Sequence, residues 1–193
     1  MRVVDSTPVE RGRSRETARR SDLAGWAEYG YCASHSRYFW GLRLHLVCTP
    51  SGLPVAFGLT SPKADEREVL RDLLEIEPGL LASRPGQVIV ADKGYASREF
   101  EVFLAEKSVR LIRPAMKRER PRPGASLLRP LRQIIESVND TLKGQLDLER
   151  HGGRTPAGVL ARVFQRLLAL TAVIWHNGEL GITPVRSLLA YDH

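Results

Sequence analysis

Residues 87–95 read Gln87-Val88-Ile89-Val90-Ala91-Asp92-Lys93-Gly94-Tyr95. Val88 to Ala91 form an apolar run without alternation, the pattern of a strand covered on both faces. Asp92 ends the run, and Lys93-Gly94-Tyr95 read as a turn. Ser97 is placed to cap a helix from about Arg98 to Lys107. Val109 to Arg113 follow as another short strand. Strand, helix and strand in that order specify a parallel pair joined by a right-handed crossover. The chain is therefore α/β.

Working outward, Met1 to Asp5 read as a short strand, Val3-Val4 ending at Asp5. Residues 8–36 read as a basic loop, with Arg11, Arg13, Arg15, Arg19 and Arg20 among small and polar residues. Tyr38 to Cys48 alternate: Trp40, Leu42, Leu44 and Leu46 share one face, and Gly41, Arg43, His45 and Val47 the other. That period predicts a half-buried strand. Pro50-Ser51-Gly52 is a turn, and Pro54 to Thr60 return as the second strand of a hairpin. Asp65-Glu66-Arg67-Glu68 is an acidic capping box opening a helix to about Glu77, which makes Asp65 a cap rather than a metal ligand.

The sequence has 193 residues, enough for one domain that buries roughly 70% of its unfolded surface. A single domain over residues 1–193 is expected. Its 42% hydrophobic and 26% charged content are those of a soluble globular protein. The net charge of +7 favours polyanions, because neutralised phosphates release counterions. Cys32 and Cys48 form no CxxC pair and fit reduced thiols of a cytoplasmic protein. No signal peptide or internal repeat is visible. The longest apolar stretch, Leu167 to Trp175, is too short to span a bilayer, so no membrane is expected. No Ser/His or Cys/His pairing calls for a covalent intermediate. His35 has no evident partner, and His45 reads as structural or as a phosphate contact.

Lys117 to Arg132 are strongly basic and read as an exposed loop, solvated or phosphate-contacting, that leads into a helix from about Pro130 to Leu148. Leu131, Ile135, Val138 and Leu142 form its apolar stripe. Arg132, Glu136, Asn139 and Lys143 form a polar stripe beside it, with Glu136 and Lys143 two turns apart. Thr155-Pro156 cap a last helix, residues 155–178, whose apolar character nearly all round predicts burial.

Asp5, Asp92 and Glu136 are thus two strand-end aspartates and one helical glutamate. Together they make a candidate carboxylate cage for divalent ions that activate water or a sugar hydroxyl against a phosphodiester.

These residues resemble the DDE transposases of bacterial insertion sequences, in the RNase H-like superfamily that includes retroviral integrases, and within them the IS-four-like group. The cues are Val4-Asp5-Ser6-Thr7, Ala91-Asp92-Lys93-Gly94-Tyr95, and Arg132 with Glu136 and Lys143. That group's signature is Tyr, two residues, Arg, three residues, Glu, six residues, Lys. Arg132, Glu136 and Lys143 fit its last three positions, and Arg129 stands where Tyr is usual. The resemblance covers residues 2 to about 176.

The resemblance implies an RNase H-like fold, a central five-stranded mixed sheet flanked by helices, with Asp5 on the central strand and Asp92 on its neighbour. It implies two Mg²⁺ or Mn²⁺ ions held by Asp5, Asp92 and Glu136. Arg132 and Lys143 would engage phosphate, with Arg129, Lys93, Tyr95 and Asn139 as further candidate DNA contacts. The implied partners are terminal inverted repeats, target DNA and further copies of the chain in a synaptic complex. Family members usually carry a DNA-recognition region ahead of the first acid, so weak end-specific binding is expected here. An inert remnant that only binds DNA, and a host nuclease of the same fold, are the alternatives.

Overall fold

The computed structural model describes residues 1–12, 15–32, 36–82 and 86–191. Arg13 and His35 lie outside the described residues. The strands are β1 (Arg2–Gly12), β2 (Glu28–Cys32), β3 (Arg37–Cys48), β4 (Pro54–Thr60), β5 (Gln87–Val90) and β6 (Val109–Ile112). They form one mixed sheet in the order β2-β3-β1-β5-β6, with β4 also pairing β3. The helices are α1 (Arg15–Arg19), α2 (Glu66–Ile76), α3 (Gly79–Ala82), α4 (Arg98–Glu106), α5 (Ala125–Asp140) and α6 (Pro156–Glu179). The expected α/β architecture, a mixed sheet with helices, is present, and it has a sixth strand.

The chain folds as two compact units. The first comprises Met1–Ser6, His45–Gly58 and Asp65–Ser137. Within it β1 runs parallel to β5, and β5 parallel to β6, as the strand–helix–strand pattern requires. Its core gathers Val4, Ile89 and Ala91 from the strands with Leu70, Leu74, Phe100 and Leu104 from α2 and α4. The caps follow the sequence. Asp65 accepts the Arg67 N–H at 2.8 Å and Ser97 accepts the Phe100 N–H at 3.3 Å, each satisfying a backbone donor that the helix leaves over. The Arg67 guanidinium also holds the Asp65 carboxyl down at about 2, which fixes Asp65 as a cap.

Three expectations in this unit are revised. α5 begins at Ala125, and Pro130 lies inside it rather than at its start. His45 is buried at 3% exposure, which makes it structural. The basic stretch before α5 is not simply free cation. Arg122 pairs with Glu101 and Glu119 at 2.9 and 2.6 Å, and the buried Arg113 pairs with the same two acids. Arg122 is thereby withdrawn from phosphate contact.

The second unit comprises Thr7–Leu44, Leu59–Ala64 and Val138–His193. The expected loop over residues 8–36 is instead the end of β1, the short helix α1 and strand β2. Its arginines masked an alternating strand. In β2 Tyr29 and Tyr31 are exposed or half-exposed, Cys32 is buried, and Tyr31 faces Tyr38 across the β2–β3 ladder with rings 5.1 Å apart. β3 was expected to be half-buried, yet from Phe39 to Leu42 it is buried on both faces. Gly41 explains part of this: a Cβ there would lie 2.2 Å from the Val9 carbonyl oxygen. Gly41→Ala is therefore expected to destabilise the protein by at least about 2 kcal/mol, seen as a lower urea midpoint with an unchanged slope. An unchanged midpoint would mean β1 and β3 separate there at no cost.

α6 begins at the Thr155 cap, which accepts the Gly158 N–H at 3.1 Å. Val159, Val163, Leu167, Leu170 and Ile174 are buried, but Leu160, Phe164, Leu168 and Trp175 are about half or more exposed. The expectation of a fully buried helix was wrong because its apolar residues occupy two adjoining stripes and only one meets the core. By length and composition alone α6 is apolar enough to cross a membrane, with mean hydropathy 1.6 over its best window. That exceeds what the shorter Leu167–Trp175 run implied.

Candidate active site

β1 and β5 pair with Arg2 opposite Ile89 and Val3 opposite Val90. That pairing brings Asp5, two residues on in β1, and Asp92, two residues past Val90, to the same cleft. β5 ends at Val90, while β1 runs on to Gly12. Asp5 is therefore mid-strand, at the point where β1 outruns its neighbour, and not at a strand end as the apolar run implied. Asp92 turns the chain: one of its carboxylate oxygens accepts the Gly94 N–H at 2.7 Å.

The two aspartates share a small cleft of about 50 Å³ with Arg132 and Glu136, walled by Val3, Val4, Val90, Ala91 and Ile135. Loss of hydration pushes the Asp5 carboxyl up to about 6, against a backbone hydrogen bond at Ser6, and the charges of Asp92 and Glu66 add to the rise. Loss of hydration also raises Asp92, with Glu66 next in effect. The Arg132 guanidinium opposes the rise at both. Two carboxyls held this way repel each other and retain a proton that a cation would displace.

Glu136 is reached differently. Its side chain is 54% exposed and accepts a hydrogen bond from Arg132 at 3.2 Å, an i,i+4 pair on α5. It lines the cleft while bound to Arg132. Among the described residues no three His, Cys, Asp or Glu side chains converge closely enough to hold one ion. The donors are nonetheless hard carboxylate oxygens, the type that suits Mg²⁺ or Mn²⁺.

The acid that sequence reading missed is Glu66, in the first turn of α2. It accepts a hydrogen bond from the Ser6 hydroxyl and influences both aspartates. The capping box there drew the reading to Asp65 and left Glu66 without a role of its own. No local pattern brings α2 to Ser6, 60 residues away.

The remaining candidates divide. Lys93 is exposed on the turn after Asp92, and Arg129 is exposed on α5. Tyr95 is 2% exposed, its ring packed 6.4 Å from that of Phe100, so it is a core residue and not a phosphate contact. In the second unit Asn139 is buried at 9% exposure. Lys143 lies in a π-helical turn, Thr141–Gln145, where it lines an open groove with Arg37, Asp140, Gly144 and Glu149. The π turn starts before Lys143, so the two-α-turn spacing from Glu136 does not hold.

No curated protein matches the sequence. Among solved structures, a piggyBac transposase synaptic complex with hairpin DNA aligns at 11% identity and a TM-score of 0.41. The alignment covers 62% of this chain and 23% of that one, a likeness too low to carry an argument. The model of the family "Transposase DDE domain" matches residues 1–172, and with that match the chain belongs to the DDE transposase family.

Proposed function

We propose that this chain performs metal-dependent phosphoryl transfer on DNA, cleaving strands at the ends of an insertion sequence and joining them to target DNA. The carrying observation is that Asp5, on β1, and Asp92, just past the end of the adjacent parallel strand β5, line one cleft with Arg132. Asp5 and Asp92 would hold divalent ions of the Mg²⁺ or Mn²⁺ class, and Glu136 would complete the set. Two ions, when bound, would acidify the attacking water or sugar hydroxyl and neutralise charge developing on the phosphate. Arg132 holds a flanking phosphate through its fork, and in doing so releases Glu136 toward the aspartates. A cation held there would favour the charged form of Asp5, whose carboxyl burial raises to about 6. Lys93, Arg129 and Lys143 supply further positive charge for the DNA backbone, consistent with the +7 net charge. Terminal inverted repeats and target DNA are the proposed substrates, within a multimer of this chain in the cytoplasm.

The test is nicking of supercoiled plasmid with Mg²⁺ or Mn²⁺. Glu136→Ala is expected to lose activity by more than the roughly 10–100-fold typical of residues that merely support a metal site, with its fold intact by circular dichroism. A Glu136→Ala protein that nicks as fast as the parent removes Glu136 from the site.

A second reading has one observation in its favour, the engagement of Glu136 by Arg132 with no three acids converging among the described residues. On that reading the chain is an inert remnant that binds DNA through its basic surface. Mn²⁺ titration separates the two, since a remnant shows no saturable binding that depends on Asp92.

A further inference from the structure

We infer that Glu66 is a positioning residue of this site, reaching from α2 to the strand that carries Asp5 and over the turn that follows Asp92. The inference rests on the reading of those aspartates as the metal-holding pair. Three observations converge on it.

The Ser6 hydroxyl donates a hydrogen bond to one Glu66 oxygen, and Ser6 is the residue after Asp5. Successive side chains on a strand point to opposite faces, so this bond anchors the backbone beside Asp5 without covering the Asp5 carboxyl. The other Glu66 oxygen lies over Gly94: a Cβ built on Gly94 would be 2.7 Å from it. The same Cβ would be 3.0 Å from the Asp92 oxygen that accepts the Gly94 N–H. Gly94 thus lies directly beneath the Glu66 and Asp92 carboxylates. Glu66 itself is fixed from behind, since it sits in the first turn of α2, and α2 is seated in the core through Leu70 and Leu74.

One side chain, carried by α2, is therefore bonded to β1 and packed over the Asp92 turn. The charges of Asp5, Asp92 and Glu66 oppose one another there. Seating β1 and that turn against the same helix end holds the aspartates in place when no cation is bound, which is the preorganisation that a metal site needs from its supporting shell.

The experiment compares the parent with Glu66→Ala, Glu66→Gln, Ser6→Ala and Asp92→Asn. Amide hydrogen exchange is read over residues 5–7 and 93–95 without metal, and Mn²⁺ affinity by electron paramagnetic resonance. Glu66→Ala is expected to lose protection at both segments and to weaken Mn²⁺ binding about 10–100-fold. Glu66→Gln, whose amide oxygen still accepts the Ser6 bond, is expected to keep parental protection and to bind Mn²⁺ within a few-fold of the parent. If Glu66→Ala does not fold, Ser6→Ala carries the prediction, with protection lost over residues 5–7 while the Glu66 charge stays.

Parental exchange at both segments in Glu66→Ala overturns the proposal. So does a Glu66→Gln protein as impaired as Glu66→Ala, because charge and not the tie would then be what matters. Mn²⁺ binding that survives Asp92→Asn defeats the metal reading by itself, and the metal-free exchange data still decide the role of Glu66.

Discussion

Asp92→Asn is expected to abolish plasmid nicking and Mn²⁺ binding together while leaving the fold intact. The asparagine side-chain oxygen can still accept the Gly94 N–H that the native carboxylate takes at 2.7 Å, so the turn after β5 survives. What disappears is one of the two aspartate charges that line the cleft. A divalent ion held by hard oxygen donors depends on that charge, and the loss of activity should exceed the 10–100-fold seen for supporting residues. Removing one of three mutually repelling acids should not lower the melting temperature of the metal-free protein. The measurement is nicking rate, Mn²⁺ titration and thermal melting on the same preparation. An Asp92→Asn protein that cleaves within a few-fold of the parent removes the central element of the proposed chemistry.

Asp5→Asn should show the opposite signs in stability and activity. Asp5 is pushed up to about 6, chiefly by lost hydration, from an ordinary value near 3.8. The folded protein therefore binds this proton more tightly than the unfolded chain does. The resulting stabilisation is complete below about pH 4 and is lost as the pH rises through 6. At pH 7 without metal the folded state carries a poorly hydrated carboxylate beside Asp92 and Glu66. Each pKa unit is worth about 1.4 kcal/mol, and after allowance for solvent screening the effect is about 2 kcal/mol. Asp5→Asn should then melt roughly 4–8 °C above the parent at pH 7 in chelator, and at the parent's temperature near pH 4. Saturating Mn²⁺ should raise the melting point of the parent and not of the variant. The variant should be inactive at every pH. Comparing variant with parent isolates Asp5 from acids that shift the other way, such as Asp65 and Glu119, both held near 2 by arginines. A variant no more stable than the parent at pH 7 would show that burial does not strain Asp5.

Read from the residues alone, the parallel β5–α4–β6 unit was legible. Its signals are local: an unbroken apolar run, a Ser cap and a second short strand. The caps Asp65, Ser97 and Thr155 were legible for the same reason, because a cap is decided within three residues. Asp92, Glu136 and Arg132 could be nominated from their places on those elements, and they do line one cleft. Other features were hidden. The arginines of residues 8–36 concealed β2, whose tyrosines alternate beneath a basic composition. Two apolar stripes on α6 looked like complete burial, since periodicity shows that a face is apolar but not whether anything covers it. Tyr95 stood in a motif and turned out to be core.

Sequence by itself determined the order and kind of the elements flanking Asp92, the identity of the caps, and the acids worth testing, because propensity, periodicity and capping act over a few residues. Tertiary structure alone decided that Asp5 shares a cleft with Asp92, that Glu66 reaches Ser6 across 60 residues, and that Arg132 holds Glu136 in that same cleft. Strand register and the docking of a helix end are set by side chains distant in the chain that meet only on folding, and shifting that register by one residue would send Asp5 to the opposite face from Asp92.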